Sequence, residues 1–247
     1  MIYFKILGRK RQLCEADSLL VRRTGRDKCI GLWLNIEVIL MGRCVIVGGA
    51  DINNYDFICG VLEPEDFVIF CDSGLKHLAK LGVKPGLIVG DFDSHENPNL
   101  DVETIVLPCE KDDTDTVFAV KEGVRRGFRD FLLIGVVGAR FDHTLGNVSI
   151  LLYLDSLGLK GLIIDDYSEM SIISGSPVEI TGDYAFFSLL NIDGSAHGVN
   201  EINAKYPLTN AEITCDYQYG ISNEVLPGKT AEVSVNEGRL LLVKIRK

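Results

Sequence analysis

The chain has no uninterrupted apolar run of the roughly eighteen residues that a membrane-spanning helix needs. Its first residues mix lysine and arginine with apolar positions and carry no signal-peptide cleavage pattern. The expected location is therefore the cytoplasm, with no membrane partner. Cys-x-x-Cys pairs are missing too: Cys14, Cys29, Cys44, Cys59, Cys71, Cys109 and Cys215 are odd in number and scattered, which argues against a disulfide framework or a zinc site and for a reducing compartment. Positive charge is scarce. A net charge of −10 argues against a general binder of nucleic acid or anionic membrane, since both demand a basic footprint. A small anionic substrate stays open, because it can arrive with a divalent cation, and carboxylates are what that cation requires. The P-loop Gly-x-x-x-x-Gly-Lys-Ser/Thr and the protein-kinase motifs are absent.

What is present is a 247-residue chain, 47% hydrophobic, long enough for two modest domains. Residues 1–40 carry basic clusters at 9–11 and 22–26 and no sustained period of two or 3.6. They read as an extension of the domain, as an upstream start with Met41 the natural beginning, or as an extra packed helix. From Cys44 onward, short apolar runs at 44–47, 67–71, 87–89, 104–107, 131–137 and 162–164 are closed by Gly or Asp and spaced by helix-like stretches. This alternation predicts an α/β fold, with a parallel-sheet, Rossmann-like catalytic domain over 41–170. Asp113 or Thr114 caps a helix with an apolar face of Val117, Val120 and Val124, and Gly127 ends it. A second helix is expected over 144–157. After Met170 the rhythm changes to short strands broken by Gly, Pro, Asn and Asp, at 171–174, 184–190, 211–216, 230–235 and 240–245. This predicts an all-β sandwich domain over 171–247.

Four acidic motifs fall where apolar strands end, the side of an open α/β sheet on which ligands sit. Cys71-Asp72-Ser73-Gly74 closes one run and Gly90-Asp91-Phe92-Asp93-Ser94 the next. If the chain stays extended, Asp91 and Asp93 project to one side while Phe92 turns into the core. Two like charges that close call for a cation, and Mg2+ takes one or two carboxylates together with substrate phosphates. An isolated Asp-x-Asp-Ser is equally a turn and helix cap. Lys111-Asp112-Asp113-Thr114-Asp115 adds more carboxylates at a helix start, with a lysine beside them suited to phosphate; alone, it also reads as an acidic N-terminus favoured by the helix dipole. In Gly138-Ala139-Arg140-Phe141-Asp142-His143 the glycine allows a tight turn and Arg140 offers a planar fork for phosphate. His143 by itself is an ordinary packing or capping residue. Together the four point to metal-dependent phosphoryl chemistry.

The ordered series of these motifs, with Leu78 and Asn147, resembles that of thiamine pyrophosphokinases. Lys205-Tyr206-Pro207-Leu208 and Gly220-Ile221-Ser222-Asn223-Glu224 are similar to the thiamine-side segments of bacterial members. The resemblance runs from about Met41 to the C-terminus. It implies transfer of pyrophosphate from ATP to the hydroxyethyl group of thiamine, giving thiamine diphosphate and AMP, by a homodimer with thiamine at the subunit interface. It implies that Asp91, Asp93 and Asp115 hold magnesium with Asp72 close by, and that Asp72, Asp93, Asp115 and Asp142 are the catalytic carboxylates. Lys111, Asp112, Arg140 and His143 are the implied nucleotide and phosphate contacts, and Tyr206, Ser222 and Asn223 the implied thiamine contacts. Tyr206 is also readable as an ordinary strand aromatic. Two positions depart from the family pattern: Ser73 stands where glycine is frequent, and Asn203-Ala204 precede Lys205 where a glycine is common. A different acceptor alcohol on the same scaffold, or a nucleotide sensor without catalysis, are the competing readings.

Overall fold

The computed structural model describes residues 42–92, 100–110 and 112–247 and, as backbone alone, 2–6 and 9–13. The chain divides into two compact units, Met1–Ile39 and Leu40–Lys247. In the first, β1 (Ile2–Ile6) and β2 (Arg9–Leu13) pair antiparallel with Ile2 opposite Leu13. Met41 and the residues of 1–40 outside these two strands, on which the expectations about an extension or a start fall, lie outside the described residues.

The second unit begins as an alternation of strand and helix: β3 (Cys44–Val47), α1 (Tyr55–Val61), β4 (Phe67–Cys71), a 3-10 helix Asp72–His77 running into α2 (Leu78–Leu81), β5 (Leu87–Gly90), β6 (Thr104–Val106), α3 (Asp115–Arg126), β7 (Asp130–Ile134), α4 (Phe141–Ser156) and β8 (Lys160–Ile164). Every residue of β3 is fully buried, as in a parallel strand covered by helices on both faces. Period two sorts its side chains: Cys44 and Ile46 join the core under α3 and α4, Val45 and Val47 the core under α1 and α2. Thr114 caps α3 by accepting the Val117 N–H at 3.3 Å, and Gly127, at φ +99°, closes it. The strand expected over 131–137 stops at Ile134, because Gly135 turns into the left-handed region at φ +61°. α4 starts at Phe141, three residues ahead of the expected start.

The parallel strands lie in the order β8-β7-β3-β4-β5-β6. From β3 the chain moves to β4 on one side and later returns to β7 on the other, so a topological switch point lies between β3 and β7.

Eight more strands follow: β9 (Ser168–Ile173), β10 (Val178–Ile180), β11 (Tyr184–Leu190), β12 (Ser195–Ile202), β13 (Leu208–Thr214), β14 (Gly220–Asn223), β15 (Ala231–Ser234) and β16 (Leu240–Arg246). The expected parallel sheet forms over β3 to β8, but the expectation that it stands as a separate Rossmann-like sheet is corrected here. β9 returns antiparallel along β8, and the sheet continues through β16 and β11 to β14, ten mixed strands in all. The cause is the short turn between β8 and β9, too short for a crossover to a parallel neighbour. Asp165 closes it by accepting the N–H groups of Tyr167 (2.7 Å) and Ser168 (2.6 Å). A second antiparallel sheet, β10-β15-β12-β13, packs on the antiparallel half of the first through Phe187, Leu189, Leu242, Val199, Ile213 and Val233. The sandwich thus takes one of its two layers from the sheet that carries the α/β part. Among the described residues no helix is long and apolar enough to cross a membrane.

Candidate active site

Three aspartates meet at the carboxyl ends of the parallel strands. Asp72 follows β4 and opens the 3-10 helix, Asp91 follows β5, and Asp115 begins α3; one carboxylate oxygen of each lies within 4.8 Å of the others. Asp72 is 2% exposed. The arrangement follows from the sheet, since Cys71 is in register with Val89 and adjacent strands lie about 4.8 Å apart. Gly90 permits the approach, because a Cβ there would stand 2.5 Å from the Asp72 Cβ. Asp115 arrives at a helix N-terminus, where the positive end of the dipole favours a carboxylate. The donor set is oxygen alone, without the thiolate or imidazole ligands typical of zinc, and so fits a hard divalent cation.

Asp93 and Lys111 lie outside the described residues. The extended backbone assumed at Phe92 does not form: Phe92 sits at φ +57°, uncommon for a bulky residue and the kind of strain that collects at functional sites.

A cavity of ≈ 400 Å³ opens beside Asp115 at the switch point, walled by the turns after β3 and β7, the 3-10 helix and the starts of α3 and α4. Two larger clefts, ≈ 640 and ≈ 670 Å³, lie at the amino-terminal ends of the strands, around Phe67 and Lys160, with no such carboxylate group among their described residues. Of the three clefts, the smaller one is lined by a member of the aspartate cluster, Asp115.

Its walls interlock. The Gly48 N–H donates to the Ile134 carbonyl (2.9 Å) and the Ala50 N–H to the Gly135 carbonyl (2.7 Å), while a Cβ on Gly74 would stand 2.2 Å from the Val47 carbonyl oxygen. Asn147, buried on α4, donates from Nδ2 to the Val136 carbonyl (2.8 Å), and the Gly138 N–H donates to Thr144 Oγ1 (3.1 Å). Behind the first turn, buried His77 donates from Nε2 to the Ala50 carbonyl (2.8 Å) and accepts the Tyr55 hydroxyl at Nδ1 (2.6 Å). Burial lowers its pKa, which keeps the ring neutral and suits one donor and one acceptor.

Arg140 and His143 reach the cavity. Arg140 donates from Nε (3.0 Å) and Nη2 (2.7 Å) to the two oxygens of Asp142, and this guanidinium holds the Asp142 carboxyl well below the usual carboxylate range. Asp112 is exposed on the turn ahead of α3. Sequence reasoning missed Lys76, Asp51, His77 and Thr144. Only Lys76 had a readable signal, its position one turn beyond the Cys71-Asp72-Ser73-Gly74 motif.

Tyr206, Ser222 and Asn223 meet elsewhere, at the β14 edge. Tyr206 is 62% exposed, with Lys205 Nζ 5.6 Å from its ring centroid. Asn223 is buried and its amide is fully used: Oδ1 accepts from the N–H groups of Tyr206 (3.0 Å) and Glu224 (2.9 Å), and Nδ2 donates to the Tyr206 carbonyl (2.8 Å) and to the Glu201 carboxylate. It positions Tyr206. Asn203 takes the left-handed conformation (φ +58°) that a glycine would supply, and donates from Nδ2 to the Thr230 carbonyl at 2.9 Å. β14 stands six strand spacings from β3, about 29 Å across the sheet.

Sequence models of two parts of one family match the chain: "Thiamin pyrophosphokinase, catalytic domain" over residues 59–161 and "Thiamin pyrophosphokinase, vitamin B1 binding domain" over 178–240. The chain belongs to the thiamin pyrophosphokinase family. A thiamine pyrophosphokinase of Bacillus subtilis (strain 168) is 27% identical over 207 residues, 81% of this chain and 96% of that protein. The crystal structure of the Bacillus subtilis thiamine pyrophosphokinase matches with a TM-score of 0.73 at 24% identity, covering 83% of this chain and 100% of that one. That of the Geobacillus thermodenitrificans thiamin pyrophosphokinase matches at 0.70 and 27%, covering 83% and 98%. Candida albicans thiamin pyrophosphokinase, at 13% identity, TM-score 0.66 and coverage of 83% and 89%, shares the fold. In this thiamin pyrophosphokinase family member the catalytic-domain match runs from α1 into β8 and holds Asp72, Asp91, Asp115, Arg140 and His143. The vitamin B1 binding match runs from β10 to the start of β16 and holds Tyr206, Ser222 and Asn223.

Proposed function

We propose that Asp72, Asp91 and Asp115 hold Mg2+ against the polyphosphate of ATP at the cavity between β3 and β7; the family resemblance adds Asp93 to this set. The activity, ATP-dependent pyrophosphate transfer to thiamine giving thiamine diphosphate, is that of the family to which the chain belongs. The observation that carries the site assignment is the convergence of three carboxylates on one point beside a cavity with two rim cations, Lys76 and Arg140. A divalent cation held by these residues would supply positive charge that offsets the charge of the phosphates. The thiamine hydroxyl attacks the β-phosphorus of ATP in line, its proton passes to a carboxylate, and AMP leaves. Asp142 is a weak base while Arg140 holds it. Its use as proton acceptor therefore requires Arg140 to swing to phosphate first, so that nucleotide binding frees the base. Lys111, Asp112 and His143 complete the nucleotide contacts in this reading.

Thiamine meets Tyr206 and Ser222, and the working unit is a homodimer. What supports this is distance: about 29 Å of sheet separates β14 from β3 within one chain, too far for one thiamine to touch Tyr206 and Asp115 of the same copy. A second copy supplies the missing half.

Mass spectrometry of protein incubated with ATP, Mg2+ and thiamine is expected to show thiamine diphosphate and AMP together, and EDTA to stop both. ATP consumption without thiamine diphosphate would mean a different acceptor, and no consumption a sensor. For the shared site, Asp115→Asn and Tyr206→Ala proteins, each impaired alone, are expected to regain activity when mixed and refolded. Failure of the mixture to exceed either parent would place both halves in one chain.

A further inference from the structure

We infer that Lys76 is a phosphate-binding residue of the nucleotide site, held against Asp51 until ATP draws it away; this rests on the nucleotide reading above. Lys76 lies on the 3-10 helix that begins with Asp72, four residues on, which at about 2.0 Å per residue is about 8 Å along the axis. It lines the same cavity as Asp115 and Arg140. Its Nζ donates to Asp51 Oδ1 at 2.7 Å, and the Asp51 side chain is 87% exposed. The two rim cations are thus in one situation, each paired with an exposed aspartate: Lys76 with Asp51, Arg140 with Asp142.

The surrounding geometry decides which member of the pair moves. Ala50, next to Asp51, is bound on both sides of its peptide, by the Gly135 carbonyl and by His77 Nε2. His77, next to Lys76, is buried and bonded at both ring nitrogens. The backbones on either side of the pair are therefore fixed, and the mobile part is the four-carbon stem of the lysine. An exposed lysine–carboxylate pair holds its members weakly. A triphosphate carries more charge than one carboxylate and would sit in a partly enclosed cavity, where a charge-assisted hydrogen bond is stronger. Lys76 exchanges Asp51 for phosphate, and Asp51 acts as a competitor that keeps the lysine oriented over the cavity when nucleotide is absent.

This gives the two substitutions opposite signs. In steady-state kinetics on the full chain, Lys76→Met is expected to raise the KM for ATP about tenfold, the loss of one charged contact. Asp51→Asn is expected to lower it about threefold, because the lysine no longer has a competing carboxylate. The KM for thiamine, varied separately, reads the other end of the site and is expected to follow neither change. If both substitutions raise the ATP KM, the pair is a structural latch and the inference is overturned; it is overturned equally if neither moves it. A wild-type protein that makes no AMP overturns the function reading and the inference with it, whereas an active wild type with unmoved variants overturns the inference alone.

Discussion

Asp115→Asn is expected to lower turnover at least about a thousandfold, since the electrostatic help of a bound metal amounts to several kcal/mol and each 1.4 kcal/mol is tenfold in rate. Asparagine keeps the size of the side chain and one oxygen but removes the charge that holds a hard cation. The fold should hardly notice. Thr114 still caps α3 through the Val117 N–H, and the lost dipole interaction at the helix start is worth about 0.3–1 kcal/mol. Part of that is offset, because three carboxylates within 4.8 Å repel one another without a cation. The two effects separate in one pair of measurements. In wild type, Mg2+ should raise the melting temperature by mass action on the folded state; in Asp115→Asn that rise should shrink or vanish, while the metal-free melting temperature stays close to wild type. Near-normal turnover in Asp115→Asn would remove Asp115 from the metal set.

The second large effect concerns stability and belongs to Glu201. This side chain is 1% exposed inside the sandwich, its Oε1 meets no hydrogen-bond donor among the described residues, and the Asn223 amide reaches the carboxylate as its partner. Burial pushes its pKa up to about 7, only partly opposed by the Asn223 hydrogen bond. The raised pKa means that the folded state binds the proton more tightly than the unfolded chain. Below about pH 4.5 both states are protonated and the stabilisation is fully present. As pH rises towards 7 the unfolded chain ionises first, and above 7 the loss is complete, on the order of 3 kcal/mol. Wild type is therefore expected to lose stability between pH 5 and pH 8. Glu201→Gln, which can still accept from Asn223 but cannot ionise, should show a flatter profile and gain on wild type by about that amount across the interval. Denaturant unfolding at several pH values checks this, and parallel profiles for the two proteins would show that Glu201 does not titrate in the window.

Glu201 also marks where sequence reasoning stopped. Strict alternation from Ala196 along β12 would turn Gly198, Asn200 and Ile202 inward and leave Glu201 outside. Instead Gly198 takes φ +66° and the register with β13 shifts on both sides of Val199. This bulge reverses the phase: Val199 and Glu201 go into the core and Ile202 is left 52% exposed. By contrast β3, β4 and α3 were readable from local features alone. Their strands are buried on both faces and so are apolar throughout, and Thr114 and Gly127 are cap residues for reasons that do not depend on the rest of the chain.

The sequence by itself determined the alternating strands and helices, the placing of aspartates at strand ends and of Arg140 ahead of a helix, and the oxygen-only character of the aspartate cluster. These depend on residue type and on neighbours a few positions away. Only the tertiary structure decided that Lys76 is held by Asp51, that Asn223 supports Tyr206, and that the β14 edge stands far from the aspartates. Each of these depends on strand order and register, which are set by pairings between segments distant in the chain, and a single bulge or a short β8–β9 turn changes them without leaving a pattern that local periodicity can carry.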